Sequence, residues 1–258
     1  MGVIDTFSHN IYVTYEKKLL KDILSKPVPK HIGIVMDGNR RFAQDIGISP
    51  IKGHAMGKDK LREVLYWCRD VGVKYLTVYA FSTENLRRPS EELNALMNMF
   101  AQSFYELGDD KEVHQYKIRA KAIGQLELLP NEVRNAIKYA EEKTKIYTDF
   151  FFNVAIAYGG REEILQAIRK IASHAKDGKV EIKNIDEKLF SSYLYTADLP
   201  DPDLILRTSG EERVSNFLLW QLAYSELFFS DIYWPAFRKI DFLRVIRDYQ
   251  RRSRRYGT

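Results

Sequence analysis

Apolar positions along this chain alternate between two rhythms: short runs rich in β-branched and aromatic residues, and longer stretches spaced by three and four. His31 to Met36 is the first short run, and it ends in Asp-Gly. From about Gly53 to Val71, the residues Leu61, Val64, Leu65 and Cys68 fall at i, i+3, i+4 and i+7, which predicts a helix with one buried face. Lys74 to Phe81 predicts a second strand. Pro89-Ser90-Glu91-Glu92 opens the next helix, with a capping serine and two acids in its positive first turn. Leu93, Leu96, Met97, Phe100 and Phe104 form its inner face, widened by Met99 and Ala101. A strand is predicted over Lys117 to Ile123, a helix from Pro130 to about Tyr147, and a strand from Phe150 to Ala157. Gly159-Gly160 leads into a helix from Arg161 to about His174, and Asp203 to Arg207 makes a fifth strand. Asn216 to Trp220 and Leu227 to Phe229 are further strand candidates. Asp241 starts a last helix with Phe242, Val245, Ile246 and Tyr249 inside.

This alternation predicts an α/β fold with a mostly parallel central sheet flanked by helices on both faces. No repeat and no Pro/Gly/Ser-rich linker divides residues 27–258, so they read as one domain. Residues 1–26 read as an N-terminal helical extension, with Tyr12, Leu19, Leu20, Ile23 and Leu24 set against Lys17, Lys18 and Lys21. Such a basic amphipathic helix suits packing on its own domain or peripheral contact with a membrane.

Composition narrows the classes. With 258 residues, 45% of them apolar, the chain has material for one full core. No apolar run approaches the ~20 residues of a bilayer span, and Asp5, His9 and Glu16 interrupt any signal-peptide pattern. Cys68 is the single cysteine, which excludes disulfide scaffolds and cysteine zinc sites and fits a reducing, cytoplasmic setting; it reads as a small core residue. The net charge of +5 and a pI near 9.0 favour an anionic partner. Much of that excess lies between Arg244 and Arg255.

In an open parallel sheet, ligands bind beyond the carboxyl ends of the strands, and polar residues gather there three times. The first group is Asp37-Gly38-Asn39-Arg40-Arg41: a hard oxygen ligand suited to Mg²⁺, a glycine that lets backbone approach a ligand, and two guanidinium forks for phosphate oxygens. Its plainer reading is an Asp-Gly turn with solvated arginines. The second is Phe81-Ser82-Thr83-Glu84-Asn85-Leu86-Arg87-Arg88-Pro89, which also reads as a capping loop, with His54 nearby. The third runs from Asp203 to Asn216, where Arg207 and Arg213 flank a Ser-Gly turn and Ser215 follows. Glu226 sits in an apolar stretch, and so is either paired with an arginine or a second metal-side carboxylate. Walker A and dinucleotide glycine signatures are absent. So is the Asp-rich motif of trans-type prenyl synthases, because Asp109-Asp110 runs into Lys111-Glu112.

The segments HIGIVMDGNRRFA (31–43), GH (53–54), YAFSTENLRRP (79–89), DLILRTSGEERVSNFLLWQLAYSELFF (203–229), WP (234–235) and RRYG (254–257) resemble the cis-prenyltransferase family of the undecaprenyl diphosphate synthase type. The resemblance runs from about residue 30 to the C-terminus. It implies an apolar tunnel, usually a homodimer, and a Mg²⁺-dependent transferase that condenses isopentenyl diphosphate onto an allylic prenyl diphosphate with cis geometry, supplying a glycosyl carrier lipid. By that resemblance Asp37 coordinates Mg²⁺ and assists catalysis, with Glu226 as second metal-associated carboxylate. Gly38, Asn39, Arg40 and Arg41 hold the allylic diphosphate beside Phe42, while Arg207, Arg213, Val214 and Ser215 hold isopentenyl diphosphate. Ser82, Asn85 and His54 match the polar group that assists proton removal; Thr83, Glu84, Leu86 and Arg88 support that site. Arg255 and Gly257 match a C-terminal motif that reaches a partner subunit. The helix from 93 to 104 is the expected tunnel wall.

Two departures bear on acceptor preference: Leu86 where bacterial members often carry a polar-edged aromatic, and Pro50 where they often carry arginine, with Lys52 placed to compensate. Arg40, where bacterial members commonly have glycine, leans toward archaeal or eukaryotic relatives. The competing readings are a non-catalytic or short-chain partner subunit, and a nucleic-acid binder using Arg244 to Arg255. Asp37, Asn85 and both loop arginines weigh against the first. The absence of a recognisable binding module weighs against the second, so no nucleic-acid partner is expected.

Overall fold

The computed structural model describes residues 3–252, with side chains from Val13 onward. In chain order the elements are α1 (Val3–Leu24), β1 (His31–Val35), α2 (Asn39–Asp45), α3 (Pro50–Asp70), β2 (Tyr75–Ser82), α4 (Ser90–Asp109), α5 (Lys111–Gln115) and β3 (Ile118–Ile123). They continue with α6 (Asn131–Thr144), β4 (Phe150–Tyr158), α7 (Gly160–Lys176), α8 (Glu187–Ser191), β5 (Leu204–Arg207), β6 (Glu226–Phe229) and α9 (Lys239–Arg251). The strands form one six-stranded sheet, parallel throughout, in the order β3-β4-β2-β1-β5-β6. The interior strands are continuous apolar runs because both faces are covered: all five residues of β1 and all four of β5 are buried. Ile32, Ile34, Leu204 and Leu206 join the larger core, while Val35 and Ile205 face a smaller one with Tyr158, Phe217 and Leu218.

α3 begins three residues before the predicted start. Ser49 caps it, and Pro50 takes the first helical position, where a missing N–H costs nothing. The strand expected over Asn216 to Trp220 is absent. Ser215, Asn216 and Leu218 have φ of 47°, 65° and 45°, and such left-handed backbone cannot continue a strand. Phe217 and Leu218 are apolar because they plug the smaller core, which a run-based reading mistakes for a strand. Cys68 is fully buried and its thiol is pushed up by desolvation, as befits a packing residue.

α1 packs along α9. Leu19 and Ile23 are buried in the larger core, and Gln250 Nε2 donates to the Ile23 carbonyl at 2.9 Å. The side chain of Tyr12 lies outside the described residues. Among the described residues, no helix is long and apolar enough to cross a membrane.

Candidate active site

Strand order reverses at β1, with β2 on one side and β5 on the other, so a crevice opens beyond the carboxyl ends of β1 and β5. Val35 pairs in register with Arg207, which brings Asp37 to Arg207 across the crevice. Asp37 Oδ2 accepts a hydrogen bond from Arg207 Nη2 at 2.8 Å, and Arg41 Nη2 lies 3.2 Å from the same oxygen. Burial pushes the Asp37 carboxyl up, but the hydrogen bond and charge of Arg207, then those of Arg41, outweigh it and hold the group below the usual carboxylate range. Asp37 is therefore ionised at neutral pH. Thr208, fully buried, fixes the backbone: its hydroxyl donates to the Asp37 carbonyl at 2.7 Å and accepts from the Asp37 N–H at 3.1 Å.

The segment read as an Asp-Gly turn is instead a helix from Asn39, which explains how Arg41 reaches Asp37 at i, i+4. Gly38 has φ 106°, and a Cβ there would lie 2.8 Å from the Tyr233 ring and 3.0 Å from Ser209 Cβ. The close approach it permits is thus to the protein's own residues. α2 lies on α3 at Gly53 and Gly57, where a Cβ would collide with the Asn39 carbonyl and the Asn39 side chain respectively. Trp234 Nε1 donates to the Gly57 carbonyl at 2.8 Å and holds that groove. Asn39 Oδ1 is buried there without a hydrogen-bond partner. Arg40 is exposed, with Nε 3.7 Å from Glu92, and Phe42 is half-buried on the same helix.

Arg207 organises the third loop. Its Nη1 donates to the Arg213 carbonyl at 2.5 Å and to Ser215 Oγ at 2.7 Å, and its buried Nε has no partner. Arg213 is largely exposed and pairs with Glu211 at 2.6 Å; Glu211 also accepts from Arg41 at 2.9 Å. Ser209 Oγ accepts from Arg41 Nη2 at 2.6 Å. Val214 is half-buried between Arg213 and Ser215. Four non-glycine residues of this loop, Ser209, Ser215, Asn216 and Leu218, hold left-handed backbone, a costly arrangement that persists only where the surroundings enforce it. Asn216 supplies part of that enforcement. Its amide donates to Glu84 at 3.2 Å and Glu162 at 3.1 Å, tying the second loop to the third, and its oxygen accepts from the Arg161 N–H at 2.9 Å.

In the second loop, Ser82 and Asn85 cap each other across the 3₁₀ turn Thr83–Arg87, with Asn85 N–H to Ser82 Oγ at 3.3 Å and Ser82 N–H to Asn85 Oδ1 at 3.2 Å. Thr83 donates to Glu84 at 3.3 Å, and Leu86 packs on the larger core. His54 turns elsewhere: its Nε2 lies 3.4 Å from both Glu92 and Arg88, which pair with each other at 2.7 Å. Burial, then the Arg88 charge, lowers the His54 pKa, so the ring is neutral at pH 7. Among the described residues, no hydrogen bond joins His54 to Ser82 or Asn85.

Glu226 lies apart from Asp37 within one chain. It starts β6 opposite Leu204, at the entry end of β5, three residues or about 10 Å along the strands from the Arg207 end. There it accepts from Arg252 Nη1 at 2.8 Å, while the Arg252 guanidinium stacks 3.9 Å over Phe228. Within one chain it is the arginine-paired acid and does not meet Asp37. Arg255 and Gly257 lie outside the described residues. The sequence reading overlooked Thr208, Ser209 and Glu211, and took Glu92 for a helix-start acid only. The i, i+4 spacing of Arg88 and Glu92 was the available signal.

Beside the polar groups lies a cavity of about 300 Å³ that runs from Asn39 and His54 between α3 and α4. Met99, Phe100 and Phe104 of α4 line it; Leu96 and Met97, from the same expected wall, are buried in the core instead. For Mg²⁺, the described residues hold no cluster of three or more carboxylate, histidine or cysteine ligands. The donor set still fits this ion, which takes one or two carboxylates and completes its shell with phosphate oxygens and water. Both arginines contact Asp37 Oδ2, and Oδ1 carries none of these contacts.

Residues 35–257 match the prenyltransferase family described as "Putative undecaprenyl diphosphate synthase". The chain belongs to the cis-prenyltransferase family. It is 57% identical over 245 residues, 94% of this chain and 88% of the relative, to tritrans,polycis-undecaprenyl-diphosphate synthase (geranylgeranyl-diphosphate specific) of Methanocaldococcus jannaschii. The Methanopyrus kandleri protein of the same name is 55% identical, covering 96% of this chain and 91% of its own. In three dimensions, this cis-prenyltransferase superimposes on lavandulyl diphosphate synthase from Lavandula x intermedia, solved in complex with dimethylallyl diphosphate, with TM-score 0.84 and 34% identity over 90% of this chain and 99% of the other. A probable undecaprenyl diphosphate synthase from Campylobacter jejuni gives 0.73 and 33%, over 90% and 100%.

Proposed function

We propose that this cis-prenyltransferase is a Mg²⁺-dependent (Z)-polyprenyl diphosphate synthase that adds isopentenyl diphosphate to geranylgeranyl diphosphate and works as a homodimer, the polyprenyl diphosphate serving as precursor of a glycosyl carrier lipid. The observation that carries the reading is the contact between Asp37 and Arg207 at the switch point, which sets an ionised carboxylate and an arginine-organised loop at the head of an apolar cavity. The primer rests on the names borne by the relatives at 57% and 55% identity.

In this reading the allylic C–O bond breaks and the diphosphate leaves with its electron pair. The double bond of isopentenyl diphosphate supplies the pair for the new C–C bond, and a proton is then lost. Gly38, Asn39, Arg40 and Arg41 receive the allylic diphosphate, with Phe42 alongside. Arg207, Arg213, Val214 and Ser215 receive the other diphosphate; the unpartnered Nε of Arg207 and the exposed Arg213 have donors to offer it. Each charge-assisted contact contributes about 1.5–3 kcal/mol. Asp37 would hold Mg²⁺, which would supply positive charge to offset that growing on the leaving diphosphate. His54 is neutral and so able to take up a proton, while Ser82 and Asn85 offer polar groups from the second loop. The chain then enters the apolar cavity, and burial of each five-carbon unit stabilises it by roughly 3–4 kcal/mol at ~0.8 kcal/mol per carbon.

The test is labelled isopentenyl diphosphate with Mg²⁺ and allylic primers of increasing length, including geranylgeranyl diphosphate, followed by product sizing and repetition with a chelator. Polymer from the geranylgeranyl primer that disappears on chelation supports the reading; no polymer from any primer refutes it. Light scattering checks the dimer.

A further inference from the structure

Three segments that the chain keeps far apart meet at Asn216. Its amide nitrogen donates to Glu84 Oε1 at 3.2 Å and to Glu162 Oε2 at 3.1 Å. Glu84 belongs to the second loop, Glu162 to the first turn of α7, and Asn216 to the third loop. A Cβ at Gly159 would collide with Glu162 Oε2 and lie 2.8 Å from Asn216 Nδ2 and 3.0 Å from Thr83 Oγ1, so all three segments close around this glycine. The N–H groups of one neutral amide thereby stand between two carboxylates that repel each other without it.

The third loop is anchored independently of that nitrogen. Asn216 holds φ 65°, a left-handed conformation that asparagine adopts more readily than most residues. Its carbonyl accepts from the Gly160 N–H at 2.7 Å, and the fully buried Phe217 stacks on the Tyr79 ring with centroids 4.8 Å apart. Hydrogen bonds then run outward in two directions. On one side Ser215 accepts from Arg207 Nη1 at 2.7 Å, at the position assigned to isopentenyl diphosphate. On the other, Glu84 sits in the 3₁₀ turn that Ser82 and Asn85 cap between them. Burial pushes the Glu84 carboxyl up, but donors from its own N–H, then Ser82, Asn216 and Thr83, outweigh it and hold the group below the usual carboxylate range. Glu84 is therefore an ionised acceptor at neutral pH.

We propose that Asn216 is a positioning residue of the transfer reaction: through Glu84 it holds the Ser82–Asn85 turn against the isopentenyl diphosphate loop, so that the polar groups of the second loop face the carbon that loses its proton. This rests on the reading above, which puts isopentenyl diphosphate at Arg207 and proton removal beside the second loop. The effect is one of geometry, and a misplacement of about 1 Å at a reacting group costs up to about 10²-fold in rate. The allylic diphosphate, received on α2, is bound as before.

Initial rates of label incorporation from isopentenyl diphosphate into geranylgeranyl diphosphate, with Mg²⁺, are measured for the wild type, Asn216→Gly, Asn216→Asp, Glu84→Gln and the double variant that joins the last two changes. Melting is followed by circular dichroism, and rates are expressed per folded molecule. Glycine accepts the left-handed backbone and removes the amide, so kcat should fall about tenfold or more while KM for the allylic primer holds within about twofold. Aspartate adds a third carboxylate and should be slower still. Glu84→Gln keeps an acceptor for Asn216 and should stay within about threefold of the wild type. In the double variant donor and acceptor change places, and kcat should recover about fivefold or more over Asn216→Asp. A wild-type kcat in Asn216→Gly, or a double variant as slow as Asn216→Asp, overturns the proposal and leaves the elongation reading standing. If Asn216→Asp does not fold, Asn216→Gly decides alone. A wild-type chain that makes no polymer overturns both.

Discussion

β1 and β5 carry polar groups at both ends, and the two ends differ in whether their hydrogen bonds close. At the entry end, Asp203 accepts from the N–H groups of Lys30 and His31. His31 Nδ1 lies 2.6 Å from the Pro200 carbonyl and must donate to it, so Nε2 accepts from the Thr77 hydroxyl at 2.8 Å; Thr77 in turn accepts from Asn153 at 3.3 Å. Each partner in that chain meets a donor or an acceptor that suits it. At the exit end the Arg207 Nε and the Asn39 oxygen are buried without partners, and Arg213 faces solvent. A closed polar cluster rigidifies a fold, whereas one with unanswered donors is built to receive something. Residue type alone does not separate the two.

The comparison is tested most severely at Asp37. Asp37→Asn should lower turnover by about 10²–10³, the range for removing one electrostatic stabiliser from an active site, with an unchanged circular dichroism spectrum. Near-normal single-turnover rates would remove Asp37 from the chemistry. The closed end should show the converse, a stability effect without a rate effect. Burial lowers the His31 pKa to about 4, so the folded ring resists the proton that the unfolded chain accepts near 6.5. The neutral ring's contribution is complete above the unfolded value and declines as pH falls from there toward about 4, amounting to on the order of 3 kcal/mol. Denaturant midpoints across that window should fall in the wild type. In His31→Gln this part of the slope should vanish, and turnover per folded molecule should hold.

Smaller effects sharpen the picture. Arg207→Lys keeps the charge but loses the fork that spans Asp37, the Arg213 carbonyl and Ser215; KM for isopentenyl diphosphate should rise about tenfold. Gly57→Ala favours the helix itself yet pushes on Asn39. Its KM for the allylic diphosphate should rise several-fold while thermal stability changes little. Unchanged KM values would mean that Asn39 has room to move.

The sequence by itself determined that strands and helices alternate, that the strands run parallel between covered faces, and that reactive residues stand just past three strand ends. Those are local facts, set by side-chain period and by which residues follow a buried run. The start of α4 was legible at that level from its two first-turn acids, although Ser90 is the first helical residue and not the cap, a position that Pro89 takes without a side-chain hydrogen bond. Only the tertiary structure decided which of those residues meet. The register Val35 to Arg207 joins Asp37 to the third loop, while the register Leu204 to Glu226 carries Glu226 to the opposite end of the sheet and pairs it with Arg252. The same holds for Thr208, hidden at the end of an apolar strand, and for Glu92, which looked like helix-start chemistry until His54 and Arg88 packed against it. The physical reason is range. Periodicity reports on neighbours within a turn or two, but strand order and register are settled by the packing of distant segments, and a parallel sheet pairs residues that the chain keeps far apart.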